Sequence, residues 1–195
     1  MYRIAIFASG NGSNAQRIAE YFDGSAIAMV ALILSNNDDA FVLQRARKLK
    51  IPFKTFDRNL FYQSDKVLRW CKDAGIDFIV LAGFLWLVPD YFIKAFPMRI
   101  LNIHPALLPK YGGKGMYGDK VHEAVISAGD KESGITVHYV DEKYDNGLIV
   151  FQARCSVDKE DTPGLLAGKI HQLEYKHFPL VIESVLKEMA VRPEM

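Results

Sequence analysis

The run F-I-V-L-A-G-F-L-W-L-V, from Phe78 to Val88, is the longest apolar stretch of the chain and is closed by Asp77 on one side and Pro89 on the other. It is about half as long as a helix needs to be to cross a bilayer, so it has to be buried inside the protein. A strand covered on both faces gives this kind of unbroken apolar run, because the helices of βαβ crossovers shield both sides of a parallel sheet.

This strand is placed near Phe78 to Phe84, and other short β-rich runs lie near Arg3 to Ser9, Met29 to Ser35, Phe53 to Asp57 and Ile100 to His104. Between the strands, Asn14 to Phe22, Ala40 to Lys50 and Ser64 to Ala74 carry apolar residues at helical spacing. This alternation predicts an α/β fold with a mainly parallel twisted sheet and helices on both faces. The later part changes character. Gly134 to Val140 and Leu148 to Val157 read as strands joined by D-E-K-Y-D-N-G, which suits an antiparallel return. Thr162-Pro163 then opens a long helix to about His177, which Pro179 should interrupt. The tail Arg192 to Met195 is expected to be mobile. With no internal repeat or linker, residues 1–195 are expected to form a single domain.

Half of the 195 residues are hydrophobic, enough for a sizeable core, and 24 Lys+Arg against 23 Asp+Glu leave a net charge of +1. That balance gives no electrostatic case for binding nucleic acid or an acidic membrane. Cys71 and Cys155 are far apart and outside any metal-ligand or redox spacing. The apolar N-terminal stretch is too short for a span and lacks a signal-cleavage region. The expectation is a cytoplasmic protein with reduced thiols and no metal. The basic residues from Arg45 to Lys50 read as a solvated helix face, and Trp70 and Trp86 as core or pocket wall.

Two stretches carry chemistry. After the first strand, S-G-N-G-S-N-A (Ser9 to Ala15) leads into a helix. Gly10 and Gly12 permit a tight turn, Ser13 or Asn14 can cap the helix, and the free amides favour an anion such as a single phosphate. The loop meets a loose dinucleotide pattern, but the second strand lacks the ribose-binding acid, and no G-K-S/T ending makes it a Walker loop. A glycine turn that binds nothing also fits. In L-N-I-H-P, Asn102 and His104 project to one face of a strand and Ile103 to the other, and Pro105 ends the strand. That puts an amide and an imidazole at the carboxyl end of a sheet, where open α/β sheets bind ligands. The residues alone also fit a strand end whose polar groups are satisfied by neighbours.

G-N-G-S-N, V-L-A-G-F, N-I-H-P-A-L-L-P-K-Y and H-Y-V-D-E-K-Y-D-N-G together resemble the phosphoribosylglycinamide formyltransferases, the folate-dependent one-carbon transferases of purine synthesis, from about Arg3 to Leu186. The resemblance implies a Rossmann-like formyltransferase fold. Two relatives, methionyl-tRNA formyltransferase and formyltetrahydrofolate deformylase, carry an additional domain for which this length has no room. The resemblance makes Asn102, His104 and Asp145 the catalytic trio. It assigns Gly10, Asn11, Gly12, Ser13 and Asn14 to the ribonucleotide phosphate, and Glu174 to its ribose or glycinamide part. The formyl donor, 10-formyltetrahydrofolate, would sit against Phe84, Leu85, Trp86, Leu87 and Val88 and the loop carrying Asp141, Asn146 and Gly147. The Leu108-Pro109 bond is expected to be cis as in relatives.

Leu85-Trp86 stands where familiar relatives have Met-Arg, and Gly112 to Gly118 is glycine-rich, fitting either a lid or a surface connection. His138 is expected to orient the Asp145 loop; His122, His171 and His177 lie in predicted helices, with packing or exposure as their default. The expected partners are two small molecules acting on a monomer or homodimer. The alternatives are a formyltetrahydrofolate hydrolase and a non-catalytic nucleotide-binding domain.

Overall fold

The computed structural model describes residues 1–191. Its strands are β1 (Tyr2–Phe7), β2 (Ala28–Ser35), β3 (Phe53–Thr55), β4 (Phe78–Leu81), β5 (Ile100–His104), β6 (Glu132–Tyr139) and β7 (Ile149–Ser156). They form one seven-stranded sheet in the order β3-β2-β1-β4-β5-β6-β7. The pairs from β3 to β5 are parallel, and β5–β6 and β6–β7 are antiparallel. The chain starts in the middle at β1, winds outward to β3, then returns to place β4 on the other side of β1. The carboxyl ends of β1 and β4 therefore border the point where the winding reverses, and their connections part there to leave a crevice.

The helices are α1 (Ser13–Tyr21), α2 (Phe41–Lys48), α3 (Arg58–Tyr62), α4 (Lys66–Asp73), α5 (Asp90–Ala95), α6 (Asp119–Ser127) and α7 (Pro163–Val191). Alternation along β1 sends Ile4 and Ile6 into one core and Ala5 and Phe7 into another. The first core takes Ile18, Val42, Val125 and Ile182 from α1, α2, α6 and α7. The second takes Phe61, Val67 and Phe92 from α3, α4 and α5. Both faces of the sheet are covered, which explains why β4 reads as F-I-V-L with every residue buried.

Three details differ from the sequence expectations. The strand expected to reach Phe84 is shorter: β4 stops at Leu81, and Gly83, at φ 74, turns the chain so that Leu85 is 45% exposed. The turn is tied down by Ala82 N donating to the Phe7 carbonyl (2.9 Å) and Ser9 N to that of Gly83 (3.0 Å). Pro179 does not interrupt the last helix. Proline inside a helix costs about 3 kcal/mol, but α7 buries Leu166 and Ile170 before it and Phe178, Ile182 and Leu186 around and after it. Burying five such side chains outweighs one local defect. The first turn of α1 is also not capped by Ser13 or Asn14; Gly12 occupies the cap with φ 73, leaving the Asn14 side chain for a partner elsewhere. The predicted mobile tail, Arg192 to Met195, lies outside the described residues.

Candidate active site

The loop from Gly10 to Asn14 rests on α2. A β-carbon on Gly12 would collide with the Val42 side chain, so only glycine lets the two segments approach. Val42 N donates to the Gly10 carbonyl (3.1 Å). Arg45, half-buried on the expected solvated face, is also bound to the loop: its Nε donates to the Asn11 carbonyl (2.8 Å), its Nη2 to Asn11 Oδ1 (2.7 Å) and its Nη1 to Gln16. Arg47, Lys48 and Lys50 are exposed as expected. The loop is thus held open in front of α1, whose first amides supply anion-binding donors.

Asn14 reaches across to α7, where its Nδ2 donates to Glu174 Oε2 at 2.8 Å. His171, one turn earlier on α7, places Nδ1 2.9 Å from the same oxygen. Glu174 is buried, and its bond to His171 raises the imidazole pKa above the usual value against the opposing effect of burial.

At the other end of the crevice, β5 pairs Asn102 directly with His138 of β6. His138 Nδ1 lies 2.8 Å from the Tyr139 carbonyl, which can only accept, so Nδ1 carries a proton and, in the neutral ring, Nε2 is the acceptor. Asn102 Nδ2 donates to that Nε2 at 3.0 Å and makes a longer contact of 3.4 Å to Asp145 Oδ1. His104 is buried; its Nε2 donates to the Tyr111 carbonyl (2.7 Å), and its Nδ1 faces Asp145 Oδ2 at 3.5 Å. Asp145 sits at φ 52 and receives the Gly113 amide at 2.9 Å. Two residues on, a β-carbon on Gly147 would overlap the Tyr139 carbonyl oxygen, so glycine is required for the loop to close onto β6.

Burial pushes the Asp145 carboxyl up, but His138, the charge of His104 and the Gly113 amide together hold it below its usual value. His104 goes the other way: burial drives its pKa down, and Asp145 and the Tyr111 carbonyl only partly oppose this. The resting pair is therefore a carboxylate beside an imidazole biased toward neutrality. Its Nδ1 is a proton-acceptor position flanked by negative charge.

Both ends open into one cavity of about 530 Å³. Gly10 to Asn14 and Glu174 line it at one end and Asn102, His104 and Asp145 at the other, with Phe84 and Leu85 also in its wall. Trp86, Leu87 and Val88 are not in that wall. Val88 belongs to the second core, and Trp86 packs against Phe56, Phe61 and Phe84 with the Arg58 guanidinium 4.7 Å over its ring. Asp141, Asn146 and Gly147 shape the Asp145 loop from outside the cavity, with Asn146 Nδ2 donating to Asp141 Oδ2 at 2.7 Å. The Leu108-Pro109 bond is cis, as the resemblance implies.

Sequence reasoning missed Lys114, Met116, Tyr117, His122 and His171 as cavity residues, and included Tyr144 only as part of the loop from Asp141 to Gly147. The first three come from the glycine-rich stretch, which walls the cavity. His171 had a legible signal, since it stands three residues before Glu174 on one helix and so shares its face. Among the described residues, no group of three or more His, Cys, Asp or Glu could hold a metal ion, and no helix is long and apolar enough to cross a membrane.

A sequence model of the family described as formyl transferase matches residues 2–182. The chain is 41% identical over 192 residues to the chloroplastic phosphoribosylglycinamide formyltransferase of Arabidopsis thaliana, covering 95% of this chain and 66% of that one. It is 38% identical over 188 residues to the phosphoribosylglycinamide formyltransferase of Haemophilus influenzae, covering 94% and 86%. It is also similar to the crystal structure of phosphoribosylglycinamide formyltransferase from Bacillus halodurans, with a TM-score of 0.85 and 36% identity over 94% of this chain and 95% of that one.

Proposed function

The chain belongs to the formyl transferase family, and we propose that it acts as one domain that moves the formyl group of 10-formyltetrahydrofolate onto the amine of glycinamide ribonucleotide. The observation that carries this reading is the single cavity with an amide-rich loop at one end and the Asn102, His104 and Asp145 side chains at the other. A phosphate at the loop and an amine at the trio are the two ends of that ribonucleotide. The formyl donor is consumed, so it is a second substrate.

The amine nitrogen attacks the formyl carbon, and negative charge develops on the formyl oxygen. Asn102 offers that oxygen the N–H now held only by the long contact to Asp145. Such a donor is worth about 100- to 1,000-fold in rate. The amine proton passes to the His104 and Asp145 pair, directly or through water, and returns to the folate N10 as its bond to the formyl carbon breaks. Proton transfer of this kind contributes roughly 100- to 10,000-fold. The protein is unchanged at the end, with no covalent intermediate on the chain. His138 fixes the Asn102 amide through Nε2, which also lies 3.7 Å from Asp145 Oδ1.

The test is a turnover assay in which each substrate is omitted in turn. Reaction requiring both supports the transferase, and loss of the formyl group without the amine supports a hydrolase.

A further inference from the structure

One short segment, Tyr111 to Gly113, holds both halves of the catalytic pair. The Tyr111 carbonyl accepts the His104 Nε2–H at 2.7 Å, and the Gly113 amide donates to Asp145 Oδ2 at 2.9 Å. Gly112 between them packs so closely that a β-carbon there would meet the Leu108 side chain. Whatever sets the path of this segment therefore sets how His104 and Asp145 face each other.

Tyr111 is the point of strain on that path. It sits at φ 58, a left-handed conformation uncommon for a bulky side chain, which persists only where the surroundings hold it. Its ring packs half-buried against the first core, and its hydroxyl donates to Asp130 Oδ2 at 2.8 Å. Asp130 lies in the turn between α6 and β6, where Lys110 Nζ donates to its two oxygens at 2.8 and 2.6 Å. The bonds from Lys110 and Tyr111 hold the Asp130 carboxyl below its usual value, so the tyrosine hydroxyl meets an anion. Hydrogen bonds to an ionised acceptor are roughly twice as strong as neutral ones. Lys110, Tyr111 and Asp130 line a separate crevice of about 290 Å³, and none of the three lines the ligand cavity. Their route to the chemistry is the backbone carbonyl of Tyr111.

We propose that Tyr111 and Asp130 are positioning residues for formyl transfer: their hydroxyl–carboxylate bond keeps Tyr111 left-handed, so that its carbonyl holds the His104 proton on Nε2 and leaves Nδ1 open toward Asp145. This rests on the function proposed above. Without the bond, Tyr111 relaxes toward negative φ and its carbonyl turns away from His104. The ring then places its proton on Nδ1, against the carboxylate, and loses the acceptor position that the amine proton needs.

The experiment measures kcat and both KM values for wild type, Tyr111→Phe, Asp130→Ala, Asp130→Asn and the double variant Tyr111→Phe/Asp130→Ala. It also reads the His104 tautomer by ¹⁵N NMR at neutral pH, with the signals assigned by their loss in His104→Ala. Tyr111→Phe keeps the packed ring and loses one oxygen; its kcat should fall about 10- to 100-fold, the scale of a displacement of up to about 1 Å. Both KM values should hold, because ligand contacts are untouched. Asp130→Ala should lose the same factor, and the double variant should be no slower than either single one, since all three remove one bond. Asp130→Asn still offers an oxygen to the Tyr111 hydroxyl and should recover most of the rate. His104 should carry its proton on Nε2 in wild type and show the Nδ1 form in the slow variants. A wild-type His104 protonated on Nδ1 overturns the proposal, whether or not any variant folds. So does wild-type kcat in a folded Tyr111→Phe, a loss confined to KM, losses that multiply in the double variant, an Asp130→Asn as slow as Asp130→Ala, or slow variants with an unchanged tautomer. If wild type turns over no ribonucleotide, the proposed function falls, while the tautomer in wild type and in Tyr111→Phe still decides whether the tether acts on His104.

Discussion

His104 and Asp145 face each other across 3.5 Å, Nδ1 to Oδ2, while the other nitrogen of the same imidazole is bound to the Tyr111 carbonyl at 2.7 Å. Because a carbonyl only accepts, the ring can take a proton at one atom alone, and that atom looks at a carboxylate. The proposed proton path depends on this arrangement.

Replacing His104 with alanine should lower kcat by roughly 100- to 10,000-fold with the fold retained. Circular dichroism and single-turnover rates check this together, and near-normal turnover in a folded variant removes His104 from the mechanism.

Asp145→Asn should lose rate on a comparable scale, and it should also change the acid limb of stability. The Asp145 carboxyl has a depressed pKa in the folded protein. Its stabilising contribution is therefore full above the unfolded carboxylate value and lost as pH falls through the lower folded one. Unfolding midpoints followed from about pH 6 to about pH 3 should fall less steeply in the variant than in wild type. Equal slopes would show that Asp145 is not the held carboxylate described above.

Asn14→Ala removes a donor to Glu174 and a polar group from the phosphate end of the cavity. KM for the ribonucleotide should rise by about 10-fold, the scale of one or two hydrogen bonds to charged groups. KM for the formyl donor should stay put. An effect confined to the formyl donor would place the loop against the wrong substrate.

Gly147→Ala should act at a distance from any ligand. The added methyl overlaps the Tyr139 carbonyl oxygen, so the loop must shift, carrying Asp145 away from His104. A misplacement of about 1 Å costs on the order of 100-fold in rate. Retained activity with unchanged stability would show that the loop tolerates another path.

The periodic parts of the fold were legible. Alternating β-rich and helical runs gave the seven strands and the antiparallel end, because a two-faced sheet leaves its mark on every strand. The ends of elements were less so: β4 stops early because Gly83 turns left-handed, and Pro179 stays helical because the packing of Phe178 and Ile182 outweighs it. At the site, Asn102 and His104 were readable from strand alternation and Asp145 from the resemblance. The link between Asn102 and His138 depends on strand register, which no local pattern records. Arg45 was read only as a solvated cation because nothing in its helix announces that Asn11 lies within reach.

The most direct test of the central claim follows a ¹³C-labelled formyl group. The protein is incubated with labelled 10-formyltetrahydrofolate and glycinamide ribonucleotide, and the products are identified by mass. The account predicts label on the glycinamide nitrogen, one per tetrahydrofolate released, with none appearing as formate. Label recovered as formate at the same rate with or without the ribonucleotide would contradict it.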